Sequence, residues 1–484
     1  MTDIAFLPAK RLAALVRSKK IGCAELLEHF LARVARHNPK LNAIIATRVP
    51  TARKAAREAD AALRRRGAKP GPLHGVPMTV KESFDVAGLP TTWGLAGFAK
   101  HRAKTHALVV ERLLAAGANL FGKSNVPVML ADWQSFNPVY GTTNNPWDVT
   151  RGPGGSSGGS AAALAAGLTG LEYGSDIGAS IRNPAHYCGV YGHKPTYQIV
   201  SPRGQRLGDA VAVADIAAVG PLARSAHDLE IALRATMGPD PIDAAGWKLS
   251  LASPGWTSLR GLRVAVMLTH PTAEVDASVQ APIQALARFL AKQGAKVSER
   301  ARPAFDPDEA HKVYIQLLRF ATSGRQPDEQ YQRFEGQKNS IAVDDFSYPA
   351  QFVRGTTMAP REWMRLNERR HQMRLAWAEF FRDWDVLLCP TAATAAFPHM
   401  QAGERWERMI EVNGKPQATT TQMFWAGYSG MCFLPSTVAP VGLTKRGLPV
   451  GVQVVGPQYA DLSTIRFAQL IERGYYGFAP PPGY

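Results

Sequence analysis

Short apolar segments that alternate with amphipathic ones constrain the fold of this chain more than any other feature. Residues 262–267 have the length and apolar character of a buried strand, residues 283–292 show a helical pattern, and residues 295–297 are again strand-like. Residues 385–389 and 451–455 are typical of further core strands. This alternation predicts an α/β fold, with a central mixed sheet that helices cover on both faces.

The first half of the chain continues the alternation. Residues 23–36 place apolar side chains on one face of a helix, which Asn38 and Pro39 are expected to close. The other expected elements are helices at 53–66, 106–116 and 160–168, a strand that enters a loop within 77–86, and a short strand at 118–121. The small residues of 160–168 suit a helix that packs tightly against a sheet.

Three segments carry the residues of a candidate active site. Residues 75–81 end in Lys81, residues 154–159 contain Ser156, and residues 175–182 contain Ser180. A serine hydroxyl is a weak nucleophile until a base takes its proton, and no histidine stands in a pattern that would serve. A lysine can serve instead, because burial lowers its usual pKa of about 10.4 by several units. Lys81 is therefore expected to be largely neutral, with activity that rises towards alkaline pH.

These segments resemble the Ser–cisSer–Lys site of the amidase signature family of hydrolases. Residues 152–195 follow the signature block of that family closely, and the spacings between the three residues agree with it. The resemblance extends from about residue 26 to about residue 470, and it is weak in the middle of the chain. It implies a serine-nucleophile amide hydrolase that needs no cofactor or metal.

The resemblance also implies a role for each residue of the site. Ser180 is the nucleophile, Ser156 passes a proton between Ser180 and Lys81, and the peptide bond between Gly155 and Ser156 is cis. The backbone N–H groups expected to form the oxyanion hole are those of Ile177, Gly178, Ala179 and Ser180. The residues expected to support the site are Ser157, Asp176 and Arg182. Most relatives have glycine at position 179, so the Ala179 methyl is expected to narrow the space beside the nucleophile.

A chain of 484 residues is long enough for two or three domains. It contains no linker, low-complexity run or repeat that would divide it, and the resemblance implies one large domain over 1–484. Within it we expect N-terminal helices at 1–70, a signature core with the catalytic residues at 71–245, and the remaining sheet and helices at 246–484. Residues 324–360 are polar and are expected to form an irregular, variable excursion near the mouth of the site.

Three local patterns suggest other chemistry. Residues 154–158 fit Gly-x-Ser-x-Gly, but that nucleophile turn follows an apolar strand, and residues 144–153 are polar and turn-rich. Residues 117–124 fit the P-loop string, but a helix precedes the motif and a strand lies inside it, so no nucleotide is expected. Four residues near Ser180 would allow a Cys–His interpretation. They follow the nucleophile where the family has its next strand, so core roles are expected for His186, Tyr187, Cys188 and His193.

The formal charge of +17 would suit a nucleic-acid partner, but the basic residues are spread along the chain. The dense group at 361–374 fits an amphipathic helix with a solvated basic face. Four cysteines without a Cys-x-x-Cys pair argue against zinc and favour a reducing compartment. The N-terminus lacks a signal-peptide pattern, and no apolar run approaches the roughly 20 residues of a membrane span. We expect a cytoplasmic protein without nucleic-acid or membrane partners; a homodimer is left open.

Two aromatic segments are candidate walls of the substrate pocket, with about even odds that they are ordinary core. Their residues are Trp133, Gln134, Phe136, Phe424, Trp425 and Tyr428. An apolar wall suits hydrophobic aryl or alkyl amides and anilides, and the resemblance adds esters and carbamates (urethanes) as side activities. The alternative is the glutaminase subunit of a tRNA-dependent amidotransferase; its small zwitterionic substrate needs paired charges, which these aromatic segments do not offer. A catalytically inactive scaffold is disfavoured because all three catalytic residues are present.

Overall fold

The structure, a computed structural model, describes residues 3–484, and most of its strands are short. They are β1 (Ile44–Thr47), β2 (Pro77–Lys81), β3 (Asn119–Ser124), β4 (Phe136–Asn137), β5 (Gly141–Thr142), β6 (Glu172–Asp176), β7 (Tyr191–Lys194), β8 (Ala218–Ala223), β9 (Arg263–Val266), β10 (Lys296–Ser298), β11 (Val386–Pro390), β12 (Met409–Val412), β13 (Lys415–Ala418), β14 (Ser436–Leu443) and β15 (Pro449–Val455). The helices are α1 (Ala9–Arg17), α2 (Cys23–Leu41), α3 (Val49–Arg64), α4 (Leu108–Ala115), α5 (Gly158–Ala165), α6 (Arg182–Cys188), α7 (Ala226–Thr236), α8 (Ala277–Lys292), α9 (Pro307–Ser323), α10 (Asp328–Lys338), α11 (Tyr348–Thr356), α12 (Pro360–Asp383), α13 (Met423–Gly430) and α14 (Asp461–Gly474).

The largest sheet has eight strands in the order β10-β9-β11-β15-β14-β7-β8-β6. Strand β9 is parallel to β10 and β11, and the remaining neighbours are antiparallel, so the sheet is mixed. Every residue of β6, β8, β11 and β15 is buried. Because successive strand residues point to opposite faces, helices must cover both faces of the sheet. The expected single α/β domain around a mixed, covered sheet is confirmed.

A second sheet, in the order β1-β3-β2, stands against the edge of the large one and carries Lys81. The Thr79 backbone N–H donates to the Thr169 hydroxyl at 3.0 Å, and the Thr79 hydroxyl donates to the Glu172 carboxyl group. These contacts place β2 beside β6. The end of β2 therefore lies next to the end of β6, where the segment that carries Ser180 begins.

Helix α5 connects the two sheets through small residues. A methyl group at Gly159 would stand 2.3 Å from the Asn125 backbone nitrogen, and one at Gly158 would stand 2.3 Å from the Ser135 hydroxyl. Only glycine permits this close approach. The tight packing expected for residues 160–168 is confirmed, and it fixes the loop that carries Ser156 immediately before the helix.

Several sequence-based boundaries were wrong. Helix α2 continues through Pro39 and ends at Leu41. Asn42 caps it with a left-handed φ of +50°. The strand within residues 77–86 ends at Lys81 and a loop follows, as expected, whereas the expected helical N-terminal segment also contains β1, whose Ala46 pairs with Lys123 of β3. Residues 1 and 2 of that expected segment lie outside the described residues.

Other segments are helical where a different structure was expected. Residues 324–360 contain α10 and α11, so they are not irregular, although residues 325 and 326 do reach the mouth of the cavity described below. Residues 186–188, expected in a strand, lie in α6. The basic group at 361–374 lies in α12, where Met373, Trp377 and Phe380 are buried, so its amphipathic character is confirmed. Among the helices of residues 3–484, none is long and apolar enough to cross a bilayer.

Candidate active site

Lys81, at the end of β2, is fully buried. Its Nζ lies 2.6 Å from the Ser156 hydroxyl and 3.0 Å from the Ser175 hydroxyl. Burial lowers the pKa of Lys81 to about 7, although the negative charges of Asp176 and Glu82 oppose the shift. At neutral pH about half of such a lysine is uncharged and able to accept a proton.

Ser156 lies on a glycine-rich loop that the surrounding structure holds closely. Its peptide bond with Gly155 is cis, as the resemblance implied. A methyl group at Gly155 would stand 2.2 Å from the Asp132 carbonyl oxygen, so the position accepts glycine alone. The next residue, Ser157, donates its backbone N–H to the Ser180 carbonyl at 3.1 Å and its hydroxyl to the Ser175 carbonyl at 3.4 Å. Ser157 thus connects the loop of Ser156 to the segment of Ser180.

Ser180 stands between β6 and α6, and it lines the same cavity as Ser156 and Ser175. Its side chain is almost buried, so a reacting amide must enter the cavity to meet it. Within residues 3–484 the Ser156 hydroxyl accepts a hydrogen bond from Lys81, and no hydrogen bond joins it to the Ser180 hydroxyl. Catalytic contacts often close only when substrate is bound.

The residues 177–181, here called the oxyanion loop, wrap around the Asp176 carboxylate. That carboxylate accepts the backbone N–H groups of Ala179 at 3.0 Å and Ile181 at 3.1 Å. It also accepts two bonds from Arg182, at 2.8 and 3.0 Å, inside the core. Burial alone would raise the pKa of Asp176, but the charge and hydrogen bonds of Arg182 hold it below its usual value. Asp176 and Arg182 thus fix the loop in place.

Three N–H groups of the oxyanion loop are available to a ligand. The Ala179 N–H is already bound to Asp176, whereas those of Ile177, Gly178 and Ser180 donate to no group in the part of the chain that the structure describes. Two of these N–H groups belong to peptide groups whose carbonyl is held: the Tyr314 hydroxyl donates to the Ile177 carbonyl, next to the Gly178 N–H, at 3.0 Å. The Asn183 N–H donates to the Ala179 carbonyl, next to the Ser180 N–H, at 2.7 Å. The Trp133 indole donates to the Gly178 carbonyl at 2.8 Å and holds the peptide group between them. Fixed donors of this kind stabilise a developing oxyanion.

The Ala179 methyl does not narrow the space beside Ser180, contrary to expectation. Ala179 has a left-handed φ of +66° and is fully buried. It belongs to a core cluster and is not part of the cavity wall. The Ala179 methyl thus packs among core side chains and outside the cavity wall.

The cavity at Ser180 has a volume of about 850 Å³ with its open mouth included. Its apolar wall consists of Met129, Leu130, Trp133, Ile177, Leu318 and Met423. Trp133, a candidate from the sequence, thus lines the same cavity as Ser180. Gln134 lines an adjoining cavity of about 380 Å³, and Phe136 lines another of about 750 Å³.

The other three residues proposed for the pocket lie in the core. Phe424 stacks on His270 at 4.6 Å between ring centroids, Trp425 donates its indole N–H to the Ala273 carbonyl at 3.2 Å, and Tyr428 packs on Trp377. None of the three lines the cavity. Helix α13 is buried along its whole length, so only its first residue, Met423, reaches the cavity wall.

Sequence reasoning missed several residues of the site. The Ser175 hydroxyl accepts a hydrogen bond from Lys81, and the Gln205 side chain donates to it at 3.3 Å. Ser175 lies in the same segment as Ser180, which was the available signal. Tyr314 and the arginines of the cavity wall carry no sequence signal, since only the fold brings them to the site.

The alternative chemistries find no support in the described residues. Residues 144–153 contain no strand, and the P-loop string is strand β3, whose buried Lys123 donates to the Thr91 hydroxyl at 3.0 Å. His186 contacts the Thr394 carbonyl, and His193 lies between Thr437 and Asp461, so both are held as core residues. Within residues 3–484 no group of His, Cys, Asp and Glu is arranged to hold a metal ion.

Comparison with known proteins gives a consistent picture. A family model described as Amidase matches residues 25–465. An Acylamidase of Rhodococcus erythropolis is 34% identical over 97% of this chain and 96% of its own length. One component of the Glutamyl-tRNA(Gln) amidotransferase of Anaeromyxobacter sp. (strain K) is 32% identical over 98% of this chain and 99% of its own. A solved structure of a bacterial aryl acylamidase of the amidase signature enzymes family has a TM-score of 0.82 at 23% identity, over 99% of both chains; it bears on the fold alone.

Proposed function

The chain belongs to the amidase signature family of C–N hydrolases, and from that premise we propose that it cleaves amides through an acyl-enzyme on Ser180. The observation that carries the proposal is the buried Lys81, with a pKa of about 7, at 2.6 Å from the Ser156 hydroxyl in the cavity that Ser180 lines. A neutral amine in this position can accept a proton, which an ordinary surface lysine cannot do at neutral pH.

In the first half of the proposed reaction, the Ser180 oxygen attacks the amide carbonyl carbon. Its proton passes to Ser156, whose own proton passes to Lys81. The carbonyl oxygen becomes an oxyanion that accepts the free N–H groups of the oxyanion loop. The C–N bond then breaks, and a proton returns from Lys81 through Ser156 to the leaving amine.

Water completes the cycle. It attacks the acyl carbon and gives a proton to the same pair, Ser156 and Lys81, and the collapse of the second tetrahedral intermediate returns that proton to the Ser180 oxygen. One amide and one water thus yield one acid and one amine. The same attack opens esters and carbamates, which we propose as side activities.

The apolar part of the cavity supports a small-molecule amide with an aryl or alkyl group. Trp133, Leu318 and Met423 offer contact area to such a group. The relative named Acylamidase is consistent with this substrate class. We therefore propose anilides and aryl amides as the first substrates to examine.

A second candidate is the glutaminase component of an amidotransferase complex, which the amidotransferase relative favours. Glutamine carries an α-ammonium group, so its site needs a carboxylate that is free to bind it. The two carboxylates of the cavity wall, Asp132 and Asp176, are already paired with Arg408 at 2.6 Å and Arg182 at 2.8 Å. This arrangement favours an amidase that acts without partner subunits.

The proposal is tested by the release of 4-nitroaniline from a hydrophobic 4-nitroanilide by the isolated protein. Wild type should release it and Ser180→Ala should not, whereas Ser258→Ala, which changes an exposed serine far along the chain, should behave as wild type. Equal release by wild type and Ser180→Ala would refute the role of Ser180. No release from any variant, but glutamine hydrolysis with added partner subunits, would favour the second candidate.

A further inference from the structure

One side of the cavity at Ser180 carries three arginine side chains. Arg319 and Arg325 come from helix α9 and the turn after it, and Arg405 comes from the segment before β12. We call Arg319, Arg325 and Arg405 the guanidinium cluster. Leu318 and Thr322 of α9 line the same wall, so this end of the helix faces the cavity.

The guanidinium cluster has no carboxylate partner within residues 3–484. Arg319 and Arg405 both donate to the Tyr348 hydroxyl, and Arg405 also donates to the Ala131 carbonyl at 2.7 Å. Arg325 lies over the Trp93 ring at 4.7 Å. Both acidic side chains of the wall are taken by other arginines, as described above, so the cavity presents uncompensated positive charge.

Arg319 is the most deeply buried member of the guanidinium cluster. Its side chain is 7% exposed, and its Nε is a buried donor without a hydrogen-bond partner in the described chain. Burial, together with the adjacent positive charge of Arg405, lowers the pKa of Arg319 to about 10, so Arg319 stays charged at neutral pH. A buried cation without an anion is costly, and an anion placed between the two guanidinium groups would remove that cost.

We propose that the guanidinium cluster binds a carboxylate carried by the amide substrate, at a point away from the bond that is cleaved. A guanidinium offers paired N–H donors that match the two oxygens of a carboxylate. The inference rests on the proposed amidase function and names its substrate class: an amide with an apolar body and one carboxylate. A zwitterionic substrate does not fit, because the wall has no free acid for its ammonium group.

The position of the cluster on α9 limits the distance between the two ends of the substrate. Tyr314 of the same helix holds the oxyanion loop through Ile177, at the reacting end. Arg319 is five residues further along the helix, a rise of about 7.5 Å. The carboxylate therefore belongs a few bonds from the amide carbonyl, either on the acyl group or on the amine.

Equilibrium binding to Ser180→Ala, measured by calorimetry, tests the proposal without any catalytic step. Two matched pairs place a carboxylate or an isopropyl group of the same shape on either side of the amide. They are succinyl against 4-methylpentanoyl 4-nitroanilide, and 4-acetamidobenzoate against 4-isopropylacetanilide. We expect the carboxylate to bind about tenfold or more tightly than its neutral partner in at least one pair, the scale of a charged hydrogen bond.

Charge-removing variants then locate the binding site. In the Ser180→Ala background, Arg405→Gln and Arg325→Gln should each reduce the ratio of anionic to neutral affinity at least about threefold, and Arg405→Lys should retain part of it. Arg361→Gln, which removes an exposed charge outside the cavity, should leave the ratio unchanged. Circular dichroism and thermal unfolding report whether each variant is folded.

The outcomes separate the inference from the function on which it rests. Equal binding of the two members in both pairs would refute the inference, and so would a preference that survives Arg405→Gln together with Arg325→Gln. Either result can occur while wild type still hydrolyses neutral anilides. Conversely, if wild type hydrolysed neither the neutral nor the carboxylate-bearing anilides, the proposed function would be refuted. The ratio of anionic to neutral affinity could still be measured.

Discussion

Raising the pH should increase kcat/KM for a neutral anilide up to about pH 7 and leave it constant above, because the free base form of Lys81 starts the reaction. Burial lowers the pKa of Lys81 to about 7, from its usual value of about 10.5. At pH 7 about half of Lys81 is then neutral, compared with about one molecule in 3000 for an unperturbed lysine. The shift thus increases the population of active enzyme by roughly a thousandfold.

The assay is the release of 4-nitroaniline between about pH 5.5 and about pH 9.5, under conditions where the rate reports kcat/KM of the free enzyme. Below the midpoint the rate should fall tenfold for each pH unit, since one proton inactivates the base. The substrate has no ionisable group in this range, so the profile belongs to the enzyme.

Other buried groups titrate near the same pH, and two of them serve as controls. Burial brings the pKa of Glu172 and that of Lys194 to about 7, but neither lines the cavity. Glu172→Gln and Lys194→Met should therefore keep the midpoint of the profile. A midpoint above about pH 9, or a flat profile, would refute the reasoning on Lys81.

Four further substitutions follow from the contacts of the site. Ser156→Ala should lower kcat by about 10²- to 10⁴-fold, because the proton relay is interrupted. Trp133→Phe keeps an aromatic ring at this position but removes the hydrogen bond from the indole N–H to the oxyanion loop, so kcat should fall about 2- to 10-fold. Gly427→Ala places a methyl 2.2 Å from the Tyr314 ring and should lower the free energy of unfolding by about 1–3 kcal/mol. Ala179→Gly should leave acyl preference unchanged; it loses a buried methyl, worth about 0.8 kcal/mol, but relieves a left-handed backbone, worth about 1 kcal/mol, so stability should change little.

Steady-state kinetics and chemical denaturation check these expectations. Gly336→Ala is the matched control for Gly427→Ala, because its helical position is open and the methyl meets nothing within 4 Å; it should stabilise the protein slightly. Full activity of Ser156→Ala or of Trp133→Phe would contradict the assigned contacts. A changed acyl preference in Ala179→Gly would mean that the methyl does reach the cavity.

The residues that could be placed from the sequence stand in contiguous segments with a strong local pattern. Lys81, Ser156 and Ser180 each lie in such a segment, and the fold brings Lys81 against Ser156 and both serines to one cavity. The main strands were also recognisable, because a fully buried strand such as β11 is a continuous apolar run. Local patterns of this kind can be recognised without knowledge of the tertiary contacts.

The features that were missed depend on tertiary contact. Phe424, Trp425 and Tyr428 fit a pocket wall or a core equally well by sequence, and the complete burial of α13 decided for the core. The Ala179 methyl was misplaced because its direction depends on a left-handed φ that only the coordinates show. Helix α10 was missed because its segment has few apolar residues to reveal a helical period.

The guanidinium cluster was invisible for a similar reason. Its three arginines come from two distant segments, and in a chain with 56 lysines and arginines none of them stands out. What distinguishes them is that they line one cavity without a carboxylate partner among the described residues, which is a property of the packed molecule. Charge in a sequence indicates a binding site only when the fold shows which charges lack a partner.

Identification of the acylated residue tests the central claim most directly. Wild type is mixed with a 4-nitrophenyl ester of a simple acid, quenched in acid during turnover, digested and examined by mass spectrometry. We predict an acyl group on the peptide that contains Ser180, and no such adduct or turnover in Ser180→Ala. An adduct on Ser156, or full turnover by Ser180→Ala, would contradict the assignment of Ser180 as the nucleophile.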